Sequence, residues 1–548
     1  MPKQRDAGAL RLAIGTSAFT PAIRDVAPLV ELLGDDDETI ARAAYEALVR
    51  AGSGAVSAVA SRIVRNLDGA SARSRAGAFR VLGRLAPSDR ASAELLARAL
   101  GDPDPQVQRS AARALGRLGA SEAKDAIAAA LVHAWDEAPE LPLARALADA
   151  MGKLGLPEAR ARLEAVQDGD PELVRIARKA EAMVARDASR GETSEIRGDR
   201  HGGFDVDLVV SCRAGLEALV ADELVERCPS ARGISREDGG RVTAVWRGAP
   251  DDLFAVRTML DFAFSVPAEP IHAPTTAEDA CARALAGDTA RRILETWTEG
   301  TVRYRLDWEG QGHRRGATWA VTRALSLDPR TSAWVNDPTN STWNVSARVV
   351  DGALHLRLAP RKQVDPRFAY RRRDVPAASH PTIAAALVRV SRPGPDDVVW
   401  DPFVGSGSEI IERAKSGPYR ALLGSDVDAG ALDAARENLA AASVLGVDLS
   451  VADATQHAPS GVTRIITNPP MGRRVARDGS LMDLLDRFTD HAARVLVAGG
   501  RLAWLSPAGG RTAARAEASG LRVVLRQPVD MGGFHAELQV WDKLRDSP

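Results

Sequence analysis

Cysteine is nearly absent from this 548-residue chain, which holds three: Cys212, Cys228 and Cys281. An odd number of scattered thiols without metal spacing argues against a disulfide framework and a zinc site, and fits a reducing compartment. No apolar run reaches the roughly 18 residues of a membrane-spanning helix, and Met1 to Arg11 lacks the apolar stretch of a signal peptide. The expectation is a cytoplasmic protein with no membrane partner and no metal. Lysine is scarce as well: of 72 basic residues only seven are Lys. Arginine's planar fork suits phosphate and base stacking, although a uniform Arg bias also follows from a GC-rich genome. Net charge is almost lacking too, at −1, but its distribution is uneven. Residues 201–300 carry 10 basic and 17 acidic side chains, and residues 301–374 carry 14 and 7. That switch from −7 to +7 points to a polyanion-facing middle region.

At this length one core does not suffice, and about two to four domains are expected. The first, residues 20–187, contains an internal repeat. The phrases Ala47-Leu48-Val49-Arg50-Ala51-Gly52, Val81-Leu82-Gly83-Arg84-Leu85-Ala86, Ala114-Leu115-Gly116-Arg117-Leu118-Gly119 and Ala150-Met151-Gly152-Lys153-Leu154-Gly155 recur at offsets of 34, 33 and 36. Acidic turns punctuate the units, at Gly34-Asp35-Asp36-Asp37, Gly101-Asp102-Pro103-Asp104, Trp135-Asp136-Glu137 and, in a degraded fifth unit, Gly169-Asp170-Pro171-Glu172. A helix pair with one apolar face of Ala and Leu cannot bury that face alone, so the units must stack into an all-α solenoid. The pattern resembles short HEAT-type repeats, which serve as a scaffold for a protein partner or contact RNA directly.

Small, polar and charged residues over 188–203 have a linker composition. Residues 204–272 then read as a small α+β module, with strands near Phe204–Val210, Arg241–Trp246 and Ala263–Val266 and helices at Leu216–Arg227 and near Asp251–Leu260. A second α+β segment spans 273–362 and closes with a hairpin, Trp343–Val349 and Leu354–Leu358, turned at Asp351-Gly352.

Residues 375–545 read as a doubly wound, Rossmann-like α/β domain. The apolar run Val398-Val399-Trp400 feeds Asp401-Pro402-Phe403-Val404-Gly405-Ser406-Gly407, and a helix follows. Such a first strand-to-helix turn lies where these sheets bind ligands. Gly405 and Gly407 let the backbone approach a ligand and take positive φ. Asp401 can accept from an ammonium group, as in the methionyl end of S-adenosylmethionine. Asp426 ends the next strand, where an acid suits ribose hydroxyls, while Asp428 suits the cap of the following helix. Asp453 ends a third strand and suits an adenine amino group. The fourth strand ends in Thr467-Asn468-Pro469-Pro470-Met471-Gly472, a pattern expected by chance only about 0.1–0.2 times in this length. Prolines fix φ and remove backbone donors, leaving a rigid turn rich in acceptors. The Asn468 amide oxygen and the Pro469 carbonyl can both accept from an exocyclic NH2, aiming its nitrogen at a methyl donor. No general base is evident. Arg473 and Arg474 beyond the turn suit phosphate, and Phe534, after Met531-Gly532-Gly533, either reaches the target base or turns a hairpin.

These residues resemble the class I amino-methyltransferases, specifically the THUMP-containing guanine-N2 methyltransferases of tRNA and ribosomal RNA. "DPFVGSGSEIIERA" is similar to that family's "DPFCGSGT" signature and "TNPPMGRRV" to its "NPPYG" loop. "LVVSCRAGLEALVADEL", "RTMLDFAFSV" and "WNVSARVVDGALHLRLAPRK" resemble its ferredoxin-like module (204–272) and THUMP domain (273–362). The approach Tyr370-Arg371-Arg372-Arg373 and His380-Pro381-Thr382-Ile383 is similar as well. The resemblance covers about residues 204–540. It implies S-adenosylmethionine as cofactor, held by Asp401, Phe403, Gly405, Gly407, Asp426 and Asp453, and a catalytic loop of Asn468, Pro469, Pro470 and Met471. It implies methylation of a guanosine N2 amine, in tRNA by preference, with ribosomal RNA as the alternative. A DNA adenine or cytosine amino-methyltransferase and a non-catalytic scaffold are the competing readings. One departure stands out: the family usually places Tyr or Phe where this chain has Met471, which leaves the target base open.

Overall fold

A computed structural model describes residues 7–14, 19, 21–52, 55–86, 89–118, 123–188, 191–310, 312, 314–376, 378–472 and 479–544. The chain forms two compact units, Met1–Glu192 and Thr193–Pro548.

The first unit is helical: α1 (Ala7–Ala13), α2 (Val26–Leu32), α3 (Glu38–Gly52), α4 (Val56–Arg65), α5 (Ala72–Leu85), α6 (Arg90–Arg98), α7 (Pro105–Leu115), α8 (Lys124–Asp136), α9 (Leu141–Leu154), α10 (Arg160–Glu164) and α11 (Pro171–Ala188). Helices α3, α5, α7, α9 and α11 pack side by side in one layer, and α2, α4, α6 and α8 form a second. Their facing sides, mostly Ala and Leu, make one continuous core, as a repeat array requires. The acidic turns have two jobs. Asp104 caps α7 through the Gln106 and Val107 amides (2.7 and 3.1 Å). Asp102 receives Arg75 of the preceding unit in a two-pronged ion pair (2.9 and 3.0 Å), and Asp170 receives Arg145 (2.7 Å). The repeated glycines set the spacing of the layer. A Cβ on Gly83 would lie 2.8 Å from the Ala114 Cα, one on Gly116 2.8 Å from the Ala150 Cα, and one on Gly152 2.5 Å from the Ala180 Cα. Each glycine of one repeat therefore admits the backbone of the next.

In the second unit, β1 (Ser194–Ile196) pairs antiparallel with β6 (Thr298–Gly300). Between and after them run β2 (Val206–Ser211), α12 (Glu217–Arg227), β3 (Arg232–Glu237), β4 (Arg241–Trp246), β5 (Asp261–Pro270), α13 (Ala277–Ala286), α14 (Asp288–Thr296), β7 (Arg303–Trp308), α15 (Arg315–Leu327), β8 (Val335–Asn336), β9 (Trp343–Val350) and β10 (Ala353–Pro360). They build one eight-stranded sheet in the order β3-β4-β2-β5-β10-β9-β7-β8. The sheet crosses the boundary expected near residue 272, because β5 pairs with β10. Asp351 and Gly352 turn the β9–β10 hairpin with φ of 49° and 75°, the paired positive angles of a tight hairpin. Two segments differ from expectation. Part of the 188–203 stretch is the strand β1, and the Arg200 carbonyl accepts from the Trp297 indole (2.8 Å); backbone pairing of this kind leaves no mark in composition. The stretch 251–260 forms only a 3₁₀ turn, Pro250–Ala255.

The remainder is α16 (Pro381–Val390), β11 (Val398–Asp401), α17 (Ser408–Lys415), β12 (Ala421–Asp426), α18 (Ala429–Ala441), β13 (Val447–Val451), β14 (Arg464–Thr467), α19 (Gly479–Val495), β15 (Arg501–Ser506), α20 (Gly509–Ala518), β16 (Leu521–Asp530) and β17 (His535–Lys543). The sheet order is β13-β12-β11-β14-β15-β17-β16, parallel except for β17, which runs antiparallel to β15 and β16. Every residue of β11 and β15 is buried, as expected of parallel strands covered on both faces. The two larger sheets of this unit are tied by Arg257, which donates to both oxygens of Glu412 on α17 (2.6 and 2.8 Å), and by the Asp530 amide on the Ala214 carbonyl (3.0 Å). Gly215 has φ of 98°, and a side chain there would collide with the Pro528 carbonyl.

Candidate active site

Strand order reverses between β11 and its two neighbours, β12 on one side and β14 on the other. In an open α/β sheet that is where a crevice opens at the carboxyl ends of the strands. Asp401 and Asp426 end β11 and β12, and Asn468 and Asp453 lie just past β14 and β13. The fold therefore brings the four polar positions of the sequence motifs to one edge.

Asp401 is fully buried. Its Oδ1 accepts from the Thr467 hydroxyl (2.6 Å) and the Phe403 amide (3.1 Å). Its Oδ2 is buried with no hydrogen-bond partner among the described residues. Burial, and then the negative charge of Glu409, hold its pKa well above the ordinary carboxylate range. A buried oxygen left this way is costly unless a donor meets it, and a cationic donor would relieve both the missing bond and the raised pKa.

The glycine loop gives Gly405 a φ of 51° and Gly407 a φ of 85°, left-handed values that side chains resist. Room is not the constraint, since a Cβ would meet ordinary contacts at 3.6 and 3.4 Å. The Gly405 amide donates to Asp426 Oδ2 (3.0 Å), and Asp426 Oδ1 takes the Asp428 amide (3.0 Å). Asp428 itself caps α18 through the Gly430 amide (2.8 Å). Each Asp426 oxygen keeps a second lone pair for a hydroxyl. Asp453 accepts from the Thr455 amide and hydroxyl (both 2.8 Å), and these bonds lower its pKa. Phe403 packs edge-on against Phe488, 5.1 Å between centroids.

Asn468 is half-buried, Pro469 is buried, Pro470 is exposed, and Met471 is half-buried against the apolar cluster that contains Val404 and Ile466. Gly472 turns the chain at φ 73°. Arg473 and Arg474 lie outside the described residues. Phe534 closes the β16–β17 turn, its carbonyl accepting from the Met531 amide (2.8 Å).

Two residues that sequence reasoning missed complete the site. Asn468 Nδ2 donates to the buried Ser379 hydroxyl (2.8 Å), which donates in turn to Glu409. A hydroxyl has one proton; given to the ionised Glu409 carboxylate, it can only accept from Asn468. The amide is therefore held with its nitrogen inward, and Oδ1 stands buried without a partner among the described residues. Burial pushes the Glu409 pKa up to about 7. Asn438 was missed as well. Fully buried on α18, it donates to the Ser406 carbonyl (2.9 Å) and accepts from the Arg372 and Arg373 amides (2.8 and 3.0 Å), locking the glycine loop to the approach segment. No signal short of the fold pairs residues this far apart in sequence.

Fold and site together define a Rossmann-like α/β domain with Asp401, Asp426 and Asp453 along one strand edge and an Asn-Pro-Pro turn beside them. Residues 369–537 match the family model of the RMKL-like methyltransferase domain, and residues 60–148 match that of HEAT repeats. Over 170 residues the chain is 35% identical to the tRNA (guanine(6)-N2)-methyltransferase of Thermus thermophilus, covering 30% of this chain and 50% of that protein. Over 134 residues it is 29% identical to the tRNA (guanine(10)-N2)-dimethyltransferase of Methanothermobacter thermautotrophicus, covering 24% and 39%. The chain thus spans half or less of the length of these relatives. The crystal structure of TrmN from Thermus thermophilus superposes with a TM-score of 0.51 at 24% identity, over 62% of this chain and all of that one, which is a likeness of fold.

Proposed function

We propose that this protein is an S-adenosylmethionine-dependent RNA methyltransferase that methylates the exocyclic N2 amine of a guanosine, in tRNA by preference. The observation that carries this reading is the pinned Asn468 amide, whose free Oδ1 is an acceptor at the strand edge where a substrate amine would lie. The similarity to two tRNA guanine-N2 methyltransferases supports the choice of substrate.

The residues fit the cofactor. Asp401 Oδ2 would take its ammonium group, Asp426 its ribose hydroxyls and Asp453 its adenine amine, with Gly405, Gly407 and Phe403 lining the approach. When bound, S-adenosylmethionine supplies an electrophilic methyl on a sulfonium. Asn468 Oδ1 and the Pro469 carbonyl would accept from the guanine N2 hydrogens and aim the nitrogen lone pair. Met471 and Pro470 would flank the base. The cofactor would supply the methyl group to N2 and keep the sulfur electron pair, and with Asn468 Oδ1 and the Pro469 carbonyl holding the amine, N2 would give up one proton to water. In this reading the work of the protein is positioning and electrostatics. The eight-stranded sheet ahead of this domain, with its basic 301–374 stretch, would be a THUMP-type RNA-binding module, and the protein would act in the cytoplasm.

The test is transfer of labelled methyl from S-adenosylmethionine to total tRNA, ribosomal RNA and DNA. We expect label in tRNA, recovered as N2-methylguanosine, and a loss of 100-fold or more, on the order of one oxyanion-type contact, in Asn468→Ala with cofactor binding retained. Label in DNA alone overturns the reading, and a protein that binds no S-adenosylmethionine favours a scaffold.

A further inference from the structure

The solenoid carries a second feature that the methyltransferase site does not use. Helices α5 and α7, with the residues that follow them, hold seven arginines (73, 75, 80, 84, 109, 113 and 117) and no Asp or Glu within the helices. Arg73 and Arg75 reach the acidic turns, where they pair with Asp36 and Asp102. Arg80, Arg84, Arg113 and Arg117 are exposed and have no ion pair or hydrogen bond among the described residues. They occupy equivalent positions of successive repeats, Arg80 matching Arg113 and Arg84 matching Arg117. Arg80 and Arg84 are four residues apart on α5 and share one face, while Arg113 lies in the last turn of α7 and Arg117 two residues past its end. Between helices, Gly83 admits the Ala114 backbone, which draws α5 and α7 into close contact and brings the two arginine pairs side by side. One unit on, the ladder ends: Lys153 at the matching position pairs with Asp149.

Like charges at this helical spacing repel, so the arrangement opposes folding and is not explained by it. The kind of partner follows from what the face lacks. No large hydrophobic side chain is exposed on α5 or α7 among the described residues, whereas a protein partner is usually anchored by buried aromatic or aliphatic groups. A ladder of guanidinium groups without apolar anchors fits a run of phosphates. We propose that Arg80, Arg84, Arg113 and Arg117 form a docking surface for the phosphate backbone of RNA on the solenoid, separate from the methyl-transfer site. The proposal rests on the RNA-substrate reading above.

The experiment measures affinity of the full-length protein for bulk tRNA across a salt series, for wild type and three variants. The first replaces Arg80, Arg84, Arg113 and Arg117 by Gln. The second replaces them by Lys. The third is a charge-matched control, Arg24→Gln, Arg65→Gln, Arg90→Gln and Arg98→Gln, whose exposed residues lie outside the α3–α11 layer. Neutralising the ladder should weaken binding about tenfold or more near 0.1 M salt and lower the slope of log K against log salt by about 2–4, given a slope of about 0.7–0.9 per phosphate. The Lys variant should retain most of the affinity, and the control should change it less than twofold. Circular dichroism should be unchanged, since the four side chains hold no other element. Equal affinity and slope in wild type and the Gln variant overturn the proposal, as does an equal loss in the control. Binding of polyglutamate but not tRNA through these residues overturns it in favour of an acidic protein. If wild type methylates tRNA while the Gln variant binds it equally well, only this inference falls. If wild type neither methylates nor binds RNA, the functional reading falls with it.

Discussion

Glu409 and Ser379 show how much of the site is settled by burial. Glu409 is an acid whose pKa is pushed by burial from the ordinary range to about 7 in the folded protein. A raised carboxylate pKa means that the native state binds its proton more tightly than the unfolded state does. Its contribution to stability is therefore full below the unfolded value and is lost as pH rises through the folded one. Glu409→Gln removes that loss, so its melting temperature relative to wild type should climb between about pH 5 and pH 8. A difference that stays flat with pH would contradict the assignment. Ser379→Ala should leave cofactor affinity unchanged and lower kcat about tenfold, the worth of one hydrogen bond of about 1–1.5 kcal/mol that no longer orients Asn468. An unchanged kcat would show that the amide needs no such support. The strand-end acids were legible as residues because they close motifs. The cap that Asp428 gives α18 was legible too, but the bond by which Asp426 ties down the glycine loop was not.

Among the elements, the solenoid follows most directly from its repeat. Periodic Ala and Leu, acidic turns and the recurring glycine phrase announce stacked helix pairs, since only stacking buries the face. What the phrase conceals is the closeness of the helices. Gly83→Val would push a branched side chain against the Ala114 backbone and should destabilise the solenoid by about 1–3 kcal/mol, as overpacking does. Gly101→Ala, where a Cβ meets nothing within 4 Å, should cost less than about 0.5 kcal/mol. Urea unfolding of the full chain, followed by its helical signal, separates the two. Equal midpoints would mean that the layer yields at no cost. Strand β1 lay hidden because its pairing with β6 joins residues about a hundred positions apart and uses the backbone.

For the second unit as a whole, the tie between its two larger sheets rests on Arg257 and Glu412. Glu412 is 2% exposed, and Arg257 and the Tyr370 hydroxyl both donate to it. Arg257→Ala strands a buried carboxylate, and about 3–5 kcal/mol of stability should go with it. Adding Glu412→Gln should restore much of that loss. Calorimetry of the two variants reads the difference, and a double variant no better than the single one would show that the pair does not carry this joint.

Local order along the chain was enough to determine the solenoid, the doubly wound sheet and the residues at its strand ends. Period, turn chemistry and motif spacing are properties of neighbours in sequence, and neighbours decide them. Tertiary structure alone decided the rest: one sheet running through β5 and β10, the free oxygen of Asp401, and the inward turn of the Asn468 amide. The physical reason is distance along the chain. Asn468 meets Ser379 across 89 positions, and Ser379 meets Glu409 across 30. Burial and the sharing of a single hydroxyl proton are settled only once the folded chain has brought these groups together.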